Sequence, residues 1–195
     1  SMYIHIPYCE TLCTFCGCNT TITRNHDREL PYVETLLKEW NLYREKIQEF
    51  SVKPIRQIHL GGGTPTFLSP ASLRLLLEPI LQSVNVKGHF DASLEVDPRR
   101  TTREQLEVLF NLGFRRVSLG VQDFELEVQR IVNRHQTYEE TKRITEWARE
   151  IGYTSINFDL IYGLPKQSVA TIEQTALKTL ELKPDRIALY SFALV

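Results

Sequence analysis

The chain's four cysteines all stand in one short stretch, Cys9-Glu-Thr-Leu-Cys13-Thr-Phe-Cys16-Gly-Cys18. Thiolates spaced this closely converge on one soft metal centre. The first three form a C-x3-C-x2-C triplet. On a four-iron cluster, three protein ligands leave one iron open, as catalytic zinc sites keep a position that structural sites close. Cys18 stands in two ways: as a fourth ligand it fills the open iron, and as a non-ligand it is a thiol beside the reaction centre. A disulfide framework is disfavoured, because the chain has no secretory signal, is too large to need staples and bunches its cysteines. Structural zinc is the other reading. Such sites join two cysteine pairs across a longer loop, whereas Cys16 and Cys18 are one residue apart with no second pair.

Something must hold these thiols in place, and the rest of the chain alternates strand-like and helix-like runs. Strands are expected at 3–6, 55–60, 92–96, 114–120, 155–161 and 186–192. A helix is expected over 28–50, with Val33, Leu36, Leu37, Trp40 and Ile47 on one face. The next has Ser69 as N-cap, Pro70 at its first position and Leu73, Leu76, Leu77, Ile80 and Leu81 inside. A third opens at Thr102 with Gln105 completing a capping box and stops at Gly113. Two shorter helices follow, the second from Thr137, boxed by Glu140, to Gly152. A last helix covers 169–182. This alternation predicts a parallel sheet with right-handed crossovers, a partial (β/α)6 barrel. Polar, Gly-rich and Pro-rich stretches follow the strands, where barrel enzymes build active sites. The cysteines should therefore meet Gly61 to Thr64, Glu95, Gln122 and Asp159.

The 195 residues are 42% hydrophobic and carry a formal net charge of −1. One cytoplasmic domain, 1–195, is expected, with no nucleic-acid partner and no membrane span. The chain enters a strand at Tyr3 and finishes inside an apolar run, 187–195, which reads as a piece of a longer protein.

Tyr-Ile-His-Ile-Pro-Tyr-Cys, Cys-Thr-Phe-Cys-Gly-Cys-Asn, Gly-Gly-Gly-Thr-Pro-Thr, Glu-Val-Asp-Pro-Arg, Gly-Val-Gln-Asp-Phe, Val-Asn-Arg and Asp-Leu-Ile-Tyr-Gly-Leu-Pro-Lys-Gln occur in order from Tyr3 to about Ala193. The set resembles the oxygen-independent coproporphyrinogen III oxidase (dehydrogenase) family of the radical S-adenosylmethionine superfamily. A related haem-chaperone family shares the triplet and the Gly-rich turn; Cys18, Asp123 and Lys166-Gln167 side with the oxidase. The resemblance implies a 4Fe–4S cluster on Cys9, Cys13 and Cys16, with S-adenosylmethionine chelated to the open iron. It implies a 5′-deoxyadenosyl radical that abstracts hydrogen from propionates of coproporphyrinogen III. Loss of carbon dioxide and an electron from two of them gives protoporphyrinogen IX.

The same resemblance implies cofactor contacts from Tyr3, Phe15, Gly62, Gly63, Thr64 and Glu95. It places Gln122, Arg134, Asp159 and Ala193 around a second S-adenosylmethionine, and Cys18 among the catalytic cysteines. A cellular electron donor and a monomeric state are expected. An N-terminal extension and a C-terminal helical domain belong to the family and are absent from this chain. Residues left to structural or substrate roles are His5 and His59 near the site, His26, His89 and His135 as packing or surface groups, and Arg24, Arg99 and Arg100 as candidates for the substrate propionates.

Overall fold

Along each inner strand, apolar residues that are buried alternate with polar ones that are not. The pattern follows from a pleat with one face packed and one open. The computed structural model describes residues 1–47, 54–85 and 90–193. Its elements are β1 (Met2–Ile6), β2 (Tyr8–Cys9), β3 (Thr21–Ile22), α1 (Glu29–Lys46), β4 (Gln57–Gly62), α2 (Pro70–Ser83), β5 (Asp91–Val96), α3 (Arg103–Asn111), β6 (Arg116–Gln122), α4 (Leu126–Ile131), α5 (Tyr138–Ile151), β7 (Ser155–Tyr162), α6 (Val169–Leu182) and β8 (Arg186–Ser191).

The principal sheet is six-stranded, in the order β1-β4-β5-β6-β7-β8, and every pair is parallel. Each principal strand thus lies beside the next in sequence. Crossovers of one hand then put the helices on a single face. Ile58, Leu60, Leu94, Val96, Val117, Leu119, Ile156 and Phe158 form the core on that face. The opposite face carries Tyr3, His59, Ser93, Glu95, Ser118, Asn157 and Asp159. In register, Glu95 lies beside Ser118 and Ser118 beside Asn157. A polar floor is therefore built into the pleat.

Local signals set the helix starts. Ser69 accepts from the Ser72 N–H with Pro70 following, and Thr102–Gln105 and Thr137–Glu140 form complete capping boxes. Gln105 does more than cap: its Nε2 donates to the Thr66 and Leu68 carbonyls at 2.7 and 2.8 Å, tying α3 to the loop after β4.

Tertiary contacts moved several boundaries. The second strand runs Gln57–Gly62 rather than 55–60, because Gly61 and Gly62 pair with His5 and Ile6 of β1. The fourth runs Arg116–Gln122 rather than 114–120, and Phe114 is fully buried core instead. The third helix ends at Asn111, with Gly113 beyond it at φ 97°. The first helix ends at Lys46, so Ile47 is not on its buried face but at the C-cap, 37% exposed. The expected 48–50, His89 and 194–195 lie outside the described residues. On β8, Ile187 and Leu189 align with the buried Phe158 and Leu160 yet are 50% and 63% exposed. No helix among the described residues is long and apolar enough to cross a membrane.

Phe158, fully buried at the centre of β7, should be a main contributor to stability. Phe158→Ala is expected to cost about 3–5 kcal/mol, against about 1 kcal/mol for removing the Thr137 cap with Thr137→Ala. Denaturant midpoints of the full-length protein read both.

Candidate metal centre at the strand ends

The stretch from Cys9 to Cys18 has little regular structure of its own and is held at both sides. On one, β2 pairs with β3. The Thr21 N–H donates to the Pro7 carbonyl at 2.7 Å and the Thr23 N–H to the Cys9 carbonyl at 2.8 Å. On the other, the turn after α4 grips the loop. The Thr14 N–H donates to the Val132 carbonyl at 3.0 Å, and Asn133 Nδ2 to the Leu12 carbonyl at 2.7 Å. Asn133 sits at φ 54°, a left-handed conformation that asparagine tolerates. Phe15 packs against the small cluster of Val128, Val132 and Leu164.

So held, Cys9, Cys13, Cys16 and Cys18 all line one cavity of about 170 Å³ at the C-terminal ends of the strands. Phe15, Gly62, Gly63, Thr64, Glu95, Gln122, Arg134 and Asp159 line it too. Tyr3 and Ala193 do not. The Tyr3 hydroxyl pairs with His5 Nδ1 at 3.1 Å and its ring stacks on His59, one step down the sheet. Ala193 is exposed beyond β8. Among the described residues, no three His, Cys, Asp or Glu side chains are grouped to surround a single ion. The four thiols share the cavity wall instead.

Each thiol has its own surroundings. Cys9 Sγ lies 3.4 Å from the buried Thr64 hydroxyl. Burial pushes the Cys9 thiol up, the Thr64 contact opposes it, and the Cys16 and Cys13 sulfurs add to it. Burial and then Cys16 push Cys18 up. Cys13 meets two guanidiniums, with Arg134 Nη1 at 3.6 Å and Arg99 Nη2 at 4.0 Å.

Those guanidiniums share a carboxylate. Asp97, buried at the end of β5, accepts from Arg99 Nε and Nη2 at 2.9 and 2.6 Å and from the Arg99 N–H at 3.0 Å; Arg134 Nη2 lies 3.6 Å away. Burial alone raises a carboxyl's pKa, but the Arg134 charge and the Arg99 hydrogen bonds outweigh it and hold Asp97 at about 2. Arg99 is therefore committed to Asp97 rather than free for a substrate. Arg100 pairs with Glu10 at 3.1 Å, and Arg24 is exposed and outside the cavity. Arg134 Nη2 also donates to the Gly120 carbonyl at 2.6 Å, while its buried Nε has no hydrogen-bond partner among the described residues.

The strand-end carboxylates are part-tethered. Glu95 accepts from the Gly62 N–H and pairs with His59, each at 3.2 Å. Asp159 accepts from Ser118 Oγ at 2.7 Å and Asn157 Nδ2 at 2.8 Å. Its pKa is raised, chiefly by burial, with the nearby Glu95 charge adding to it. A bulge after Gly120 turns Gln122 to φ 67° and onto the cavity wall. His5 is bound within the scaffold through the Asn19 carbonyl at 2.9 Å.

The glycines have a packing reason that sequence reasoning missed. A Cβ on Gly62 would stand 2.7 Å from the Ile6 carbonyl oxygen, and one on Gly63 2.9 Å from the backbone of Pro7 and Tyr8. They let β4 close against the stem of the cysteine loop. Asp97 and Asn133 were missed as individuals as well; only their motifs, Glu-Val-Asp-Pro-Arg and Val-Asn-Arg, signalled them. Asp123 and Gln167, weighed separately in the sequence, are hydrogen-bond partners.

With this geometry in hand, the family description "Radical SAM superfamily" matches residues 3–178. The oxygen-independent coproporphyrinogen III oxidase of Pseudomonas aeruginosa is 44% identical over 195 residues, which is 99% of this chain and 42% of that protein. Its counterpart from Escherichia coli strain K12 is 42% identical over 193 residues, with the same coverage of each chain. The solved structure of coproporphyrinogen III oxidase (HemN) from Escherichia coli, described as a radical SAM enzyme, superposes with a TM-score of 0.93 at 41% identity. It is matched by 100% of this chain and over 44% of its own. Methylornithine synthase (PylB), at 14% identity and a TM-score of 0.66, shares the fold. The chain thus spans less than half the length of the named oxidases.

Asp97 makes stability acid-sensitive in a defined window. Its folded pKa of about 2 lies below the ordinary 3.8, so between these values the unfolded chain binds more protons and stability rises with pH. The contribution, about 2 kcal/mol, is complete above the ordinary value and is lost as pH falls through the folded one. Asp97→Asn should lower stability at neutral pH and flatten that acid limb. Urea unfolding of the full-length protein from neutral pH downward measures it.

Proposed function

This chain belongs to the radical SAM superfamily, and we propose that it is the catalytic core of an oxygen-independent coproporphyrinogen III oxidase, holding a 4Fe–4S cluster and S-adenosylmethionine. The observation that carries the reading is the shared cavity. The thiols of the C-x3-C-x2-C triplet meet there beside Glu95, Gln122, Arg134 and Asp159 at the strand ends. The donor set fits the cluster. Three soft thiols line one wall, and two guanidiniums at Cys13 offset the charge of a thiolate-bound iron centre. When bound, the cluster and S-adenosylmethionine supply one-electron reductive cleavage of a sulfonium and the radical chemistry that oxidative decarboxylation of propionates requires.

In this reading Cys9, Cys13 and Cys16 hold the iron, and Cys18 is the thiol left at the cavity. Thr64 orients the Cys9 sulfur through its hydroxyl. Glu95, steadied by Gly62 and His59, presents carboxylate oxygens to hydroxyl or ammonium groups of the cofactor. The unpartnered Arg134 Nε and the Asp159 carboxylate suit the carboxylate and ammonium of a second methionine group. Gln122 and the Phe15 ring complete the walls. Tyr3, whose ring would stand 3.0 Å from a Cβ added to Gly61, and Ala193 lie outside the cavity and would contact only a part of the cofactor that extends beyond it. Burial around Asp97 and Val96 keeps water from one side. The substrate is coproporphyrinogen III and the partner a cellular one-electron donor. The protein acts as a monomer in the cytoplasm, with 1–195 as its radical SAM domain.

The test is anaerobic turnover of coproporphyrinogen III by the full-length protein with reconstituted cluster, reductant and S-adenosylmethionine. Carbon dioxide release with formation of protoporphyrinogen IX, abolished in Cys13→Ala, is the expected result. Cleavage of S-adenosylmethionine that leaves the porphyrinogen untouched would contradict the assignment.

A further inference from the structure

The three thiols of the triplet are not electrostatically equivalent. Cys9 faces a neutral hydroxyl, and Cys16 lies beside the Cys18 thiol. Cys13, buried where Cys9 and Cys16 are only partly so, is the one that two cations approach. Neither cation is free to leave. Arg134 is anchored on the Gly120 carbonyl. Arg99 is forked onto Asp97, with Nε within 3.1 Å of both carboxylate oxygens and Nη2 at 2.6 Å from one. A planar guanidinium held this way has one orientation, which a flexible ammonium could not keep. Two guanidiniums against one carboxylate leave the buried group with a net positive charge beside the sulfur.

Reduction adds negative charge to an iron–sulfur centre. A fixed cation beside one of its thiolates stabilises the reduced form, and an N–H···S contact draws electron density from the sulfur. Burial weakens solvent screening of both effects. We propose that Arg99, clamped by Asp97, is a positioning residue that raises the reduction potential of the iron–sulfur centre through Cys13. The inference rests on the cluster reading above. It gives the Asp97–Arg99 pair a role beyond stability and explains why Arg99 is turned toward the cysteine loop rather than toward solvent.

The test compares reconstituted full-length wild type with Arg99→Gln, Arg99→Lys and Arg100→Gln. Iron and sulfide content is measured first, then the midpoint potential by EPR-monitored titration with dithionite and mediator dyes. Arg99→Gln should shift the potential negative by about 59 mV or more, a tenfold change in a one-electron equilibrium. Arg99→Lys, which keeps the charge but loses the fork, should shift part of the way. Arg100→Gln removes the same charge from the neighbouring residue, which is paired with Glu10, and should leave the potential unchanged. A fully loaded Arg99→Gln at the wild-type potential overturns the proposal, as does an equal shift in Arg100→Gln. Should Arg99→Gln not retain iron, an unshifted Arg99→Lys overturns it. A wild type that assembles no iron–sulfur centre overturns the cluster reading itself and this inference with it.

Discussion

A carboxylate buried away from water stays ionised only where cations and donors replace its hydration. At the end of β5, Asp97 meets that requirement with Arg99 from its own turn and Arg134 from the far side of the α4–α5 connection. Both guanidiniums then reach the Cys13 sulfur. One constraint thus pulls together a strand end, the cysteine loop and a helix-to-helix turn that are distant in sequence. The same turn supplies Asn133 and Val132, which bind the loop backbone on either side of Cys13. The loop is held by hydrogen bonds between its backbone and both of its neighbours.

The sheet makes this arrangement economical. Parallel strands in sequential order send every connection back across one face, so all of their C-terminal ends open on the same side. The helix-side face takes the apolar residues. The other is left for His59, Glu95, Ser118, Asn157 and Asp159, which hydrogen-bond among themselves in short sets. Burial raises the Asp159 carboxyl and cations hold Asp97 low. Two carboxylates, one following β5 and one on β7 with β6 between them, are thereby tuned in opposite directions by what stands beside them.

Much of this was legible in the sequence where the cause is local. The capping boxes at Thr102 and Thr137 and the extent of the last helix depend on residues a few positions apart, and the structure has them as read. Strand ends depend on neighbours, which is why β4 and β6 moved toward their C-termini. The β2–β3 pair is two residues long on each side, below any periodic signal. The cysteine triplet announced its chemistry by spacing. Asp97 and Asn133 did not, because an aspartate before a proline and an asparagine in a turn are ordinary locally. Their partners, Arg134 and Leu12, are set by the tertiary fold. Arg99 stands in the sequence only as one of three candidates for the substrate propionates, because its clamp on Asp97 is not visible there.

The central claim is that three cysteines hold the cluster and leave one iron open, with Cys18 outside the ligand set. Mössbauer spectroscopy of the full-length protein reconstituted with iron-57, with and without S-adenosylmethionine, measures it directly in wild type and Cys18→Ser. The account predicts one distinct iron whose parameters change on adding S-adenosylmethionine, in both proteins alike. Irons that are indifferent to S-adenosylmethionine in the wild type, with one becoming responsive only in Cys18→Ser, would show four cysteine ligands and contradict it.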